Sequence, residues 1–180
     1  MKKVIVTVAL FIIGMVAIRA AEGNNLLLDA DFPNNSKVWG QNNPESFVIT
    51  EDAQLGKRIM AVKGIADASK NAWIRNIQTI KGLSQEKIAN NKFRFGANVK
   101  VVKISGKFQI AIREVDEAGK TITYKTISLG KFDSFDWKTL ESTFTASAQT
   151  ASLHFFIIAN YMGVADELYL CSPFLYQVTE

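Results

Sequence analysis

Between Phe93 and Lys103 the side chains alternate with a period of two. Phe93, Phe95, Ala97, Val99 and Val101 fall on one face, and Arg94, Asn98 and Lys100 on the other. This is the pattern of a β-strand with one side on a core and the other in water. After Ser105-Gly106, Phe108, Ile110 and Ile112 repeat it. Ile122, Tyr124 and Thr126 return after Asp116 to Gly119, where a glycine supplies the positive φ that a hairpin loop needs. From Trp137 to Thr145, Leu140, Ser142 and Phe144 oppose Thr139, Glu141 and Thr143. The run Leu153 to Ala159, LHFFIIA, is apolar at nearly every position and predicts a strand buried on both faces. Glu167 to Val178 closes the chain with Leu168, Leu170, Phe174 and Tyr176.

The earlier half is more broken. Asn24 to Phe32 predicts a short apolar strand followed by acids, and Pro33 to Ser36 a turn. Phe47 to Thr50 and Lys57 to Val62 predict strands. Asn71 to Ile80 is extended, with Trp73, Arg75, Ile77 and Thr79 on one face and Ile74, Asn76, Gln78 and Ile80 on the other; both faces mix polar and apolar residues, so the pattern does not say which points inward. Gly82 to Asn91 holds one helical turn, ended by Asn90-Asn91. About ten strand candidates with turn signals every 8–12 residues indicate a single all-β domain, a sandwich or barrel.

The first 20 residues do not belong to that pattern. Lys2 and Lys3, the apolar stretch Val4 to Ile18 and the small residues at Ala20-Ala21 form the three parts of a secretory signal peptide. The stretch is short for a membrane anchor, which needs about 20 apolar residues. We therefore expect residues 1–20 to be a leader cleaved after Ala20, residues 21–180 to be the domain, and the product to be secreted or periplasmic with no membrane span after cleavage. Removing the leader takes away Lys2, Lys3 and Arg19. Of 21 basic residues, 18 then face 17 acidic ones, a net of about +1. No basic stripe remains to suggest nucleic acid. The one cysteine, Cys171, allows no disulfide within the chain and sits in an apolar strand as a small buried hydrophobe.

Three segments, taken in order, resemble a family. NLLLDADF at 25–32, the strand-loop-strand from Ile77 to Val102 with Phe93-Arg94-Phe95, and the pair formed by Trp137-Lys-Thr-Leu-Glu-Ser-Thr-Phe and LYLCSPFLYQV are similar to motifs of the jelly-roll carbohydrate-binding modules of the galactose-binding-like superfamily. The resemblance implies a jelly-roll β-sandwich of two antiparallel sheets, with glycan bound on a concave sheet face in some members and at loop tips in others. It also places Trp137 at a core position, and Trp39 under the sandwich. Many members hold a structural calcium with an acid after the opening Phe and aspartates in the closing strand. Here Pro33 and Cys171-Ser172 stand at those places, leaving Asp29, Asp31, Asp166 and Glu167 as weak candidate ligands for a hard cation. No other cofactor is implied.

Sugar binding needs flat apolar faces and hydrogen-bonding groups beside them. Trp73 with Arg75, and Tyr161 in the turn Asn160 to Gly163, are the candidate ligand-binding residues. Arg94, Asn98 and Lys100, with Gln109 and Arg113 on the next strand, form a polar set that either lines a cleft or is a solvated face. Catalytic signatures are missing: there is no phosphate loop, no CxxC and no HExxH, and His154, the only histidine, alternates inside an apolar strand. The expectation is a secreted, non-catalytic, glycan-binding domain, with a separately encoded enzyme or an envelope protein as a further partner. The alternatives are a structural or adhesive β-sandwich that contacts protein or envelope and, last, a small glycan-active enzyme.

Overall fold

The structure is a computed structural model and describes residues 24–33, 37–65, 67, 71–76, 83, 85–131 and 134–178. The expected leader and the extension Ile77 to Ile80 lie outside the described residues. Ten strands follow in order: β1 (Trp39–Gln41), β2 (Phe47–Asp52), β3 (Lys57–Lys63), β4 (Asn71–Asn76), β5 (Lys92–Lys103), β6 (Lys107–Val115), β7 (Thr121–Leu129), β8 (Phe135–Thr145), β9 (Ser152–Asn160) and β10 (Glu167–Gln177). One short helix, α1 (Gln85–Ile88), stands between β4 and β5, and Asn90 ends it in the left-handed conformation, φ 60°. No helix among the described residues is long and apolar enough to cross a membrane.

The strands form two antiparallel five-stranded sheets. Sheet A has the order β1-β4-β9-β6-β7 and sheet B the order β2-β3-β10-β5-β8. β2–β3 and β6–β7 are hairpins within a sheet, and every other connection crosses from one sheet to the other. The result is a jelly-roll sandwich. One sequence expectation fails here. Arg94, Asn98 and Lys100 read as one polar set with Gln109 and Arg113, but at Ser105-Gly106 the chain crosses from β5 in sheet B to β6 in sheet A. Arg94, Asn98 and Lys100 therefore face away from Gln109 and Arg113 on opposite sides of the molecule, and do not share a face. The turn is tight because a Cβ at position 106 would lie 2.4 Å from the Tyr161 carbonyl oxygen.

The core lies between the sheets. Phe93 and Phe95 of β5, Phe108 of β6, Phe155 of β9 and Phe32 of the opening segment are fully buried. Each is worth about 2–3 kcal/mol in apolar area removed from water. Asn24 to Phe32 forms no strand. It bends and turns, with Asp29 and Phe32 at φ 52° and 53°, and is tied to β10 because the Leu26 N–H donates to the Leu175 carbonyl. Asn25 clamps the same place: its Nδ2 donates to the Pro173 carbonyl at 3.0 Å, and its Oδ1 accepts from the backbone N–H of Leu27 and Leu175. Trp39 packs on Phe32 and Phe155 and donates its indole N–H to the Asp29 carbonyl at 2.9 Å, so it is structural. Trp137 does not occupy the core. It is half-buried, because the register break between Val99 and Val101 opposite β8 leaves it with the outward set.

Two buried carboxylates close opposite ends of the sandwich. At one end, Glu114 accepts from the Ser147 N–H at 2.8 Å and the Thr150 hydroxyl at 2.6 Å, with Lys125 Nζ 3.6 Å away. At the other, Asp166 Oδ2 accepts from Ser105 Oγ at 2.7 Å, Gly163 N at 3.0 Å and Gly106 N at 3.3 Å. Burial by itself would raise the Asp166 pKa, but the bonds from Ser105, Gly163 and Gly106 outweigh it and hold the carboxyl below the ordinary aspartate range.

Candidate functional site

The outer face of sheet A gathers aromatic and cationic side chains. On β4 the alternation resolves: Ala72, Ile74 and Asn76 are buried, and Trp73 and Arg75 point out. Pairing carries this set across the sheet. Trp73 lies opposite Ile158, which lies opposite Gln109. Arg75 lies opposite Phe156, which lies opposite Ala111, and that in turn opposite Thr126. His154 lies opposite Arg113, which lies opposite Tyr124.

Contacts within the face follow from that register. The Trp73 and Phe156 rings meet edge to face at 5.9 Å. The Arg75 guanidinium lies 6.0 Å from the Trp73 ring and 5.8 Å from Phe156, and Arg113 covers Phe156 from the other side at 5.3 Å. Stacking of this kind holds a guanidinium in place at roughly 0.5–1 kcal/mol per exposed contact. Tyr124 stands exposed at the β7 edge. Gln109 Nε2 donates to Ser128 Oγ at 3.0 Å.

His154 is part of this face rather than of the core. Arg113 Nη2 donates to its Nδ1 at 2.6 Å, which requires a neutral imidazole with its proton on Nε2. Burial, then the charges of Arg113 and Arg75, push its pKa from 6.5 down to about 4. The ring is held neutral and acceptor-bonded to an arginine, and no acid among the described residues orients it as a catalytic base would need.

Three buried polar atoms on this side have no hydrogen-bond partner: Arg75 Nε, Arg113 Nε and Asn160 Oδ1. An unmet buried donor costs about 1–3 kcal/mol, and native structures keep few of them. Asn160 lies at the rim, paired with Asn71 and Lys107. Tyr161 follows it, 60% exposed at φ 56°, three positions beyond the Ile158 that pairs with Trp73. Trp73 and Arg75 thus stand together, and Tyr161 stands at the loop end of the same sheet.

The candidate cation ligands are scattered. Asp166 is taken up by its three donors. Glu167 pairs with Lys63 Nζ at 3.4 Å and accepts from the Tyr169 hydroxyl at 3.0 Å. Asp31 lines a cavity of about 240 Å³ beside β3 and β10, together with Lys57 and Arg58, and two cations are poor company for a calcium ion. Asp29 holds the opening turn through its carbonyl. No group of three His, Cys, Asp or Glu side chains converges among the described residues. Cys171 is buried, and burial pushes its thiol pKa up.

Reading the sequence missed Phe156 and Tyr124 as members of this face. In LHFFIIA both strand faces are apolar, which hides the period of two; the signal is His154, which marks the outward register of Phe156 and Ile158. Phe156 is buried because the two arginines cover it, not because a second layer does.

No protein-family model matches the sequence, and no curated protein is significantly similar to it. Solved structures are similar in fold. The Family 16 Carbohydrate Binding Module-2 superposes with a TM-score of 0.58 at 18% identity, covering 84% of this chain and 99% of that one. The fold is that of the jelly-roll carbohydrate-binding modules. The CBM22-1 xylan-binding domain of Paenibacillus barcinonensis Xyn10C gives 0.55 at 16% identity, covering 88% of this chain and 97% of that one. The arabinose-bound α-L-arabinofuranosidase MgGH51 gives 0.62 at 12% identity; 90% of this chain matches, but only 28% of the enzyme. This jelly roll therefore matches the whole of two binding modules and a minor part of a catalytic protein.

Proposed function

We propose that the chain is an exported, non-catalytic module that binds glycan on the outer face of sheet A. The observation that carries the reading is the coincidence, on one sheet face, of the half-buried Trp73 ring, braced edge to face by Phe156, with the unpartnered buried atoms Arg75 Nε, Arg113 Nε and Asn160 Oδ1. Sugar rings present flat C–H faces to aromatics and hydroxyls to such polar atoms. Tyr124 and Tyr161 extend the platform at its edge and at its loop end.

The non-catalytic part rests on the acids. Hydrolysis of a glycoside uses two carboxylates flanking one bond. Here the two buried carboxylates, Glu114 and Asp166, close opposite ends of the sandwich, where Glu114 Oε2 and Asp166 Oδ2 accept from their own donors. None of the outward strand positions described on sheet A carries an acid. Export rests on the leader pattern in residues 1–20.

The test is retention of residues 21–180 on insoluble and soluble polysaccharides, with Trp73→Ala beside the parent. We expect at least one polysaccharide to be bound and Trp73→Ala to weaken it tenfold or more, about 1.4 kcal/mol. A folded parent that binds none would favour an adhesive or structural sandwich, and turnover of a glycoside would make the protein an enzyme.

A further inference from the structure

We propose that the glycan bound on sheet A is a carboxylated one, a polysaccharide containing uronic acids, recognised by Arg75 and Arg113. This deepens the glycan-binding reading and rests on it. The argument begins from a difference between the two faces of the molecule. On sheet B, cations are matched by acids: Arg94 lies 3.7 Å from Glu141, Lys100 3.2 Å from Asp136, and Lys63 3.4 Å from Glu167. On sheet A, the described outward strand positions hold Arg75, Arg113 and Lys107 and no acid, and neither arginine has an acidic partner among the described residues.

The two arginines are also held in place. They cover the Phe156 ring at 5.8 and 5.3 Å, and Arg113 is fixed further by His154. A guanidinium offers a planar fork of donors that fits a carboxylate edge, and a fixed fork loses little freedom on forming those bonds. Here both forks lie over Phe156, and Ala111 and Thr126 continue the same cross-strand row with short side chains. A neutral glycan would leave both charges uncompensated in a partly desolvated site. A carboxylate on the ring would meet them.

The experiment titrates the mature protein with polygalacturonate, alginate and glucuronoxylan, each beside its carboxyl-reduced form, and with dextran sulfate. Reduction removes the charge and keeps the sugar stereochemistry. At least one acid form should bind about tenfold or more tighter than its reduced partner, as expected for a gained charge-assisted hydrogen bond. Arg75→Gln and Arg113→Gln should each shrink that ratio about tenfold, weakening the acid form far more than the reduced form. If a glutamine variant unfolds, Arg75→Lys and Arg113→Lys take its place; with charge kept and the fork lost, the ratio should still fall. Equal binding of acid and reduced forms overturns the carboxylate proposal and leaves the glycan reading standing. Absence of binding to either form by the folded protein overturns both. Dextran sulfate bound more tightly than every uronate, and lost in the same variants, overturns the carboxylate assignment in favour of sulfate.

Discussion

His154 should titrate near pH 4, and its replacement should flatten part of the acid dependence of stability. In the folded chain, burial and the charges of Arg113 and Arg75 hold the ring neutral, lowering its pKa from 6.5 to about 4. Between those values the unfolded chain binds the extra proton and the folded one does not. Stability from this group is therefore complete above about pH 7, falls as pH drops from 6.5 towards 4, and levels off below that. The full linkage over that interval is about 3 kcal/mol at 1.36 kcal/mol per pH unit. His154 is only half-buried, so solvent screening reduces this to about 1–2 kcal/mol. The perturbation is His154→Gln, which keeps an acceptor for Arg113 and removes the titration. Urea unfolding at pH 7 and at pH 4.5 gives the difference, and the imidazole resonances give the pKa directly. The parent should lose about 1–2 kcal/mol more than the variant on acidification. Arg113→Gln should raise the His154 pKa more than Arg75→Gln, because Arg113 is the closer and stronger influence. A ring that titrates at 6.5, or equal acid losses in parent and variant, would refute the electropositive account of this face.

Other expectations follow from the same geometry. Asp166→Ala removes three bonds to a buried carboxylate and should cost about 3 kcal/mol or more in urea unfolding; in the parent, this contribution holds above the unfolded aspartate pKa and is lost as pH falls through the lower folded value. Gly96→Ala would place a Cβ 2.1 Å from the Leu140 carbonyl oxygen and 2.9 Å from the Phe174 ring, forcing β5 and β8 apart; a cost of about 1–3 kcal/mol should appear as a lowered Tm. The tryptophans should separate by role. Trp39→Ala should lose about 3–5 kcal/mol of stability, since that ring packs on two core phenylalanines, whereas Trp73→Ala should keep its Tm within a few degrees and lose glycan.

The strands were legible where one face meets water. Phe93 to Val101 and Phe108 to Ile112 read correctly because polar and apolar residues separate by parity, and Asp116 to Gly119 is the expected hairpin, with Gly119 at φ 79°. Sheet partition was not legible. Whether Ser105-Gly106 turns within a sheet or crosses between sheets depends on packing against the 160–166 loop, which contributes Asp166 from 60 residues away. Asn71 to Asn76 hid its orientation because Asn76 is buried, its Nδ2 spent on the Leu28 carbonyl, while Trp73 lies outside. Trp73 and Arg75 could be paired from spacing alone, since two residues apart in a strand is one face. Phe156 and Arg113 could not be added to them, because only the β4–β9–β6 register brings those strands side by side.

The proposed function names a place as much as an activity, the outer face of sheet A. Backbone amide shifts of the labelled mature protein, followed while a bound polysaccharide fragment is added, test it most directly. The account predicts that shifts concentrate at Trp73, Arg75, Arg113, Tyr124 and Phe156. Shifts confined to the cavity lined by Asp31, Arg58 and Tyr176, on the far side of the sandwich, would contradict it.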